Sequence, residues 1–154
     1  MIYIGIDPGA KTGLAVWDSR KRSFCTLSTF TFWKCVAHLE KYLEAYMDTH
    51  FETGTKRPMQ VIIEDPNLNK VTFRRQEGET GINDRKGQNV GMNKRDAQLW
   101  IAYFEERWPQ IQVIQRKPDK HTSKKDAKAF QMLTKYQGET SQHARDAALL
   151  IFGL

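Results

Sequence analysis

IYIGIDPGAKTGLAVWD, residues 2–18, decides how this chain folds. An apolar run ends on Asp7, Pro8-Gly9 turns the chain, and a second apolar run begins at Gly13. A buried strand, a tight turn and an antiparallel partner strand account for that order. Asp7 is out of place in a plain core. A carboxylate at the end of a buried strand loses hydration, which is costly unless a cation or several donors receive it. On these residues two readings stay open: a functional carboxylate, or an Asp that bonds the backbone of its own turn.

Working outward, 2–7, 12–17 and 23–30 read as three consecutive strands. Over 33–47 the pattern shifts to helical spacing, with Val36, Leu39, Leu43, Tyr46 and Met47 at three- and four-residue steps. A polar connection follows, then Met59–Glu64 (MQVIIE), a fourth apolar strand that again ends on an acid. Residues 67–93 are polar and contain glycines, which predicts a long loop. A helix is expected over about 94–108, with Ala97, Ile101, Phe104 and Trp108 as its stripe and Pro109 past its end. A fifth strand at 111–115 follows. Ser123 and Asp126 stand at capping-box spacing before a helix that Gly138 closes, and Ser141 caps a last helix over 143–152. The early meander is antiparallel, whereas the later strand–helix–strand units require parallel pairing. The expectation is an α/β fold, a five-stranded mixed sheet flanked by helices, in one domain covering 1–154.

A chain of 154 residues buries enough surface to need no disulfide or zinc staple. Cys25 and Cys35 have no metal-type spacing and are expected to be buried free thiols, which fits a reducing compartment. No apolar run is long enough to cross a bilayer, and no basic leader precedes an apolar stretch. A soluble cytoplasmic protein, in the host cytoplasm if viral, is expected, without a membrane partner. The net charge of +6 is local: 67–98 carries +3 and 116–128 carries +4, leaving the remainder at −1. A local anionic partner or two solvated polar loops would both produce this distribution.

Asp7 and Glu64 each end a strand, and parallel neighbours would bring those ends to one sheet edge, where sites form in open α/β sheets. The last helix, SQHARDAALLIFG, carries His143 and Asp146 three apart, on nearly one face. Its alanines allow close packing. Carboxylates gathered around a point repel and shift in pKa unless cations lie between them. Oxygen-rich ligation suits Mg²⁺ or Mn²⁺, and two such ions about 3.5–4 Å apart support phosphodiester hydrolysis. The plainer reading is a polar strand end and an exposed helix face.

IGIDPGAKTGLAV, VIIEDP, GMNKRDAQLWIAYFE and SQHARDAALLIFG together resemble the RuvC-type Holliday junction resolvases, which have a ribonuclease-H-like (retroviral integrase-like) fold. The resemblance spans nearly the whole chain in the same element order. It implies a metal-dependent endonuclease, usually a homodimer, that nicks two strands of a four-way DNA junction symmetrically. Carried over, Asp7 is the ligand shared by two Mg²⁺ ions (Mn²⁺ as the alternative), Glu64 holds one of them, and Asp146 completes the set. His143 stands where many members have a carboxylate, and it would bind the second ion or orient the attacking water. The loop after Glu64 enters the junction centre in the family. Phe73, Arg74 and Arg75 are its candidates here, with Phe73 either a wedge against bases or an anchor for the loop. Lys117, Lys124 and Lys125 resemble the family's basic positions near the scissile phosphate. Trp100, Tyr103 and Trp108 offer aromatic surface for a dimer contact, or simply core. Two other functions compete: a monomeric ribonuclease-H-like nuclease on flaps, branched DNA or RNA–DNA hybrids, and a DNA-structure-binding protein without catalysis.

Overall fold

The computed structural model describes residues 1–53, 58–69, 80–118 and 125–154. Three strands open the chain: β1 (Ile2–Asp7), β2 (Thr12–Asp18) and β3 (Ser23–Phe30). Helix α1 (Phe32–Thr53) leads to β4 (Met59–Glu64), and a single 3₁₀ turn (Pro66–Leu68) follows it. Then come α2 (Thr80–Arg107), β5 (Gln112–Arg116), α3 (Ala127–Thr134) and α4 (Gln142–Leu149). The strands form one sheet in the order β3-β2-β1-β4-β5. β1–β2 and β2–β3 pair antiparallel, and β1–β4 and β4–β5 pair parallel. This is the five-stranded mixed α/β sheet with flanking helices expected from the sequence.

Alternation along the strands sorts the core into two layers. Ile2, Ile4 and Ile6 of β1 join Leu14, Val16, Val61 and Ile63 on one face, where Cys35, Leu39 and Leu43 of α1 and Trp100 and Phe104 of α2 cover them. Ala15, Trp17 and Ile62 point to the other face, under Phe130 of α3 and Ala147, Ala148 and Ile151. Each layer excludes water from apolar area, the dominant favourable term in folding.

Several expectations are corrected. The predicted loop over 67–93 is helical from Thr80 onward, so α2 begins well before 94. Its inner half is anchored by buried Ala97, Trp100 and Phe104, and the Asn67 side chain donates to the Lys94 carbonyl at 3.1 Å. Trp100 is fully buried, and the Trp108 indole donates to the Tyr103 hydroxyl at 3.1 Å. These aromatics belong to the core rather than to an open dimer face. Cys25 is exposed because β3 is an edge strand; Cys35 is buried as expected. Asp126 caps α3, accepting from the Ala129 amide at 2.7 Å, and left-handed Lys135 (φ 61°) ends it, ahead of Gly138. Ser141 caps α4 as expected, but regular helix stops at Leu149. No helix among the described residues is long and apolar enough to cross a membrane.

Candidate active site

Strand parity aims the acids. Residues of odd number in β1 point away from the Ile2–Ile4–Ile6 layer, and even-numbered residues of β4 do the same, so Asp7 and Glu64 share the face that α4 covers. β1 and β4 run parallel with Ile6 opposite Ile63, which puts the two carboxylates side by side at the carboxyl edge. Arg116 of β5 lies opposite Glu64, and its Nη1 crosses the same face to donate to the Leu150 carbonyl at 2.6 Å. A cation there complements the carboxyl end of α4.

α4 reaches this edge because glycines let it sit directly on the strands. A Cβ on Gly13 would overlap the His143 carbonyl, and one on Gly5 would overlap the Ala147 carbonyl. Gly13 is the register partner of Asp7, so the helix start is placed against the first acid. The Ser141 hydroxyl accepts from the Ala144 amide at 3.1 Å and hydrogen-bonds the Thr29 hydroxyl, tying the cap to β3. His143 Nδ1 then lies 2.8 Å from Asp7 Oδ2. The Asp7 side chain is 14% exposed and that of His143 46%, so the pair sits at the mouth of a covered edge.

The electrostatics are those of crowded acids. Burial pushes Asp7 upward, opposed by its bond to His143 and reinforced by the Asp146 charge. Burial also raises Glu64, with help from Asp7 and Asp146, to about 7. His143 is raised chiefly by its bond to Asp7, with Asp146 adding to it and Lys11 opposing. Asp7 and Glu64 lie close enough for the Asp7 charge to add to the rise at Glu64. Asp146 Oδ1 accepts from the Gln142 amide at 2.7 Å. The four residues thus lie within one another's fields, but they are linked pairwise. Among the described residues no group of three or more His, Cys, Asp or Glu is placed so that it could hold a metal ion. The chemistry of the donor set nonetheless fits a hard divalent cation: oxygens dominate, and a cation among them would relieve the mutual repulsion of the acids.

The remaining predicted residues are dispersed. Lys117 is exposed, one residue past β5 and therefore at the same sheet edge. Lys125 is half-buried, and its carbonyl accepts from Arg145 Nε of α4 at 2.9 Å. Phe73, Arg74, Arg75 and Lys124, like Ser123, lie outside the described residues. Asp65 is buried, and its carboxylate accepts from the Asn67 amide at 2.8 Å, as a turn-capping Asp does. Sequence reasoning missed Lys11, close enough to act on His143, and the pair Gln142 and Arg145. Lys11 was legible from its place in the turn after Asp7. Gln142 was legible from its four-residue spacing to Asp146.

No family model matches the chain, and no curated protein matches it. Among solved structures it is similar to T. thermophilus RuvC in complex with a Holliday junction substrate. The identity is 17% and the TM-score 0.49, over 97% of this chain and 90% of that one.

Proposed function

We propose that this chain is a divalent-metal-dependent endonuclease that resolves four-way DNA junctions, acting as a homodimer that makes paired symmetric nicks and leaves 5′-phosphate and 3′-hydroxyl ends. The observation that carries the reading is the meeting of Asp7, Glu64, His143 and Asp146 at one sheet edge, on the face covered by α4. The family resemblance of the four sequence motifs supports it.

Asp7, Glu64, Asp146 and His143 would hold Mg²⁺ or Mn²⁺, which supplies Lewis acidity for water and for the departing oxygen when bound. Asp7 is central because it bonds His143 and its charge acts on Glu64. His143 has Nδ1 committed to Asp7, which leaves Nε2 to carry a proton or to ligate. Lys11 and Lys117 supply positive charge at the same edge for the phosphates flanking the reacting one, and such contacts position the backbone without reading sequence.

The test is digestion of a mobile synthetic four-way junction with each metal, mapping nicks on all strands, alongside flap and RNA–DNA hybrid substrates. Paired symmetric nicks that Asp7→Asn abolishes, with junction binding retained, support the proposal. Preference for a flap or hybrid, or binding without any metal-dependent cutting, refutes it in favour of the competing functions.

A further inference from the structure

Gln142 and Arg145 share α4 with His143 and Asp146 but have no part in the reading above. Arg145 is only 8% exposed. Its guanidinium donates from Nε to the Lys125 carbonyl at 2.9 Å, from Nη1 to the Thr140 carbonyl at 2.6 Å and hydroxyl at 3.2 Å, and from Nη2 to Gln142 Oε1 at 2.9 Å. The Gln142 amide passes the contact on, with Nε2 donating to Asp146 Oδ1 at 2.7 Å. A guanidinium has donors and no acceptor, so the amide atom facing it must be oxygen. That turns the NH₂ toward Asp146 and removes the usual freedom of an amide to flip.

We propose that Gln142 and Arg145 are positioning residues for Asp146: Arg145 sets the amide, and the amide holds one carboxylate oxygen so that the group is presented to a divalent cation in a single orientation. This rests on the metal-dependent reading of the site. Such outer partners typically account for about 10–100-fold in metal affinity. If Arg145 only tied α4 to residues 125 and 140, its loss would lower the melting temperature and leave metal affinity of the folded protein alone. Gln142 would then do nothing.

Mn²⁺ alone, without DNA, is the probe, with free Mn²⁺ read by its electron paramagnetic resonance signal in the presence of the full chain. Gln142→Met keeps the length of the side chain and a good helix former but removes the donor. It is expected to weaken Mn²⁺ binding of the folded protein by about 10-fold, with a modest fall in melting temperature from the Arg145 Nη2 left without its acceptor. Arg145→Met is expected to match it, and Arg145→Lys to restore part of the affinity. In an Asp146→Asn background Gln142→Met is expected to change nothing further. Unchanged Mn²⁺ affinity in Gln142→Met, or an equal loss in the Asp146→Asn background, overturns the proposal while leaving the metal reading intact. Should the native chain itself fail to bind Mn²⁺, the metal reading falls and takes this proposal with it. The half-buried Gln142 carries the test even if the Arg145 variants do not fold.

Discussion

Gly13→Ala tests how α4 is set on the sheet. The added Cβ meets the main-chain carbonyl of His143, which cannot rotate away, so the start of the helix has to lift from β2. Overpacking of this kind costs about 1–3 kcal/mol, and a backbone neighbour puts it at the upper end. Lifting also strains the Ser141–Thr29 and Asp7–His143 hydrogen bonds, each worth about 1 kcal/mol. The sum, up to about 5 kcal/mol, corresponds to a fall in melting temperature of about 10–20 °C for a chain of this size. The local consequence is separately visible. With Asp7 moved off its ring, His143 should titrate closer to 6.5, the value from which that bond raises it, and an NMR titration reads this directly. Gly5→Ala should behave similarly through the Ala147 carbonyl, without a direct effect on His143. A Gly13→Ala protein that melts within about 2 °C of the native chain, with an unshifted His143, would refute the close seating of the helix.

Gly91 is the counter-example: it lies within α2 with open space around its Cβ position, so Gly91→Ala should stabilise by about 0.5–1 kcal/mol in chemical denaturation, and destabilisation would count against a continuous helix there. In metal-free protein, the raised pKa values of Glu64, Asp7 and His143 all mean that the folded state binds more protons than the unfolded one, so stability should fall as pH rises from about 4.5 to above 7. Glu64→Gln should flatten that fall in melting curves and gain about 1–2 kcal/mol at pH 8, a figure already reduced for solvent screening; a steeper fall would contradict the crowding of the acids. On the proposed metal-dependent reading, Mg²⁺ should reverse the trend in the native chain, raising its melting temperature more at pH 8 than at pH 6, because a bound cation would compete with protons for the same oxygens. Trp100 has a buried indole N–H with no partner among the described residues, so Trp100→Phe should cost little, within about 1 kcal/mol by denaturation, as the lost volume offsets the removed donor.

The strands were legible because their signals are local. IYIGID and MQVIIE are apolar runs bounded by turn residues, and β3 matched its predicted bounds at Ser23 and Phe30. That Asp7 and Glu64 would meet followed from parallel pairing alone. The start of α2 was not legible, because Gly81, Gly87 and Gly91 weaken helix propensity and no apolar stripe runs through them. That half of the helix continues from a packed one at Ala97, Trp100 and Phe104, which is a tertiary cause. The aromatics of α2 left core and dimer contact both open, because a large ring reads equally well as either until its neighbours are known, and the packing favours core. Cys25 was misplaced because strand membership does not reveal an edge. The alanines of α4 announced close packing, but the glycines opposite them, Gly5 and Gly13, acquire that meaning only once the helix is laid across β1 and β2.

The odd-even phase of β1 and β4 has one more consequence. The same alternation that sends Ile2, Ile4 and Ile6 inward sends Asp7 to the opposite side, so hydrophobic sorting and delivery of the acid are a single event. Deleting one residue ahead of Asp7 would swap the two and bury a charge in oil, which the fold would not survive. A well-folded slip of register in β1 is therefore excluded by the core itself.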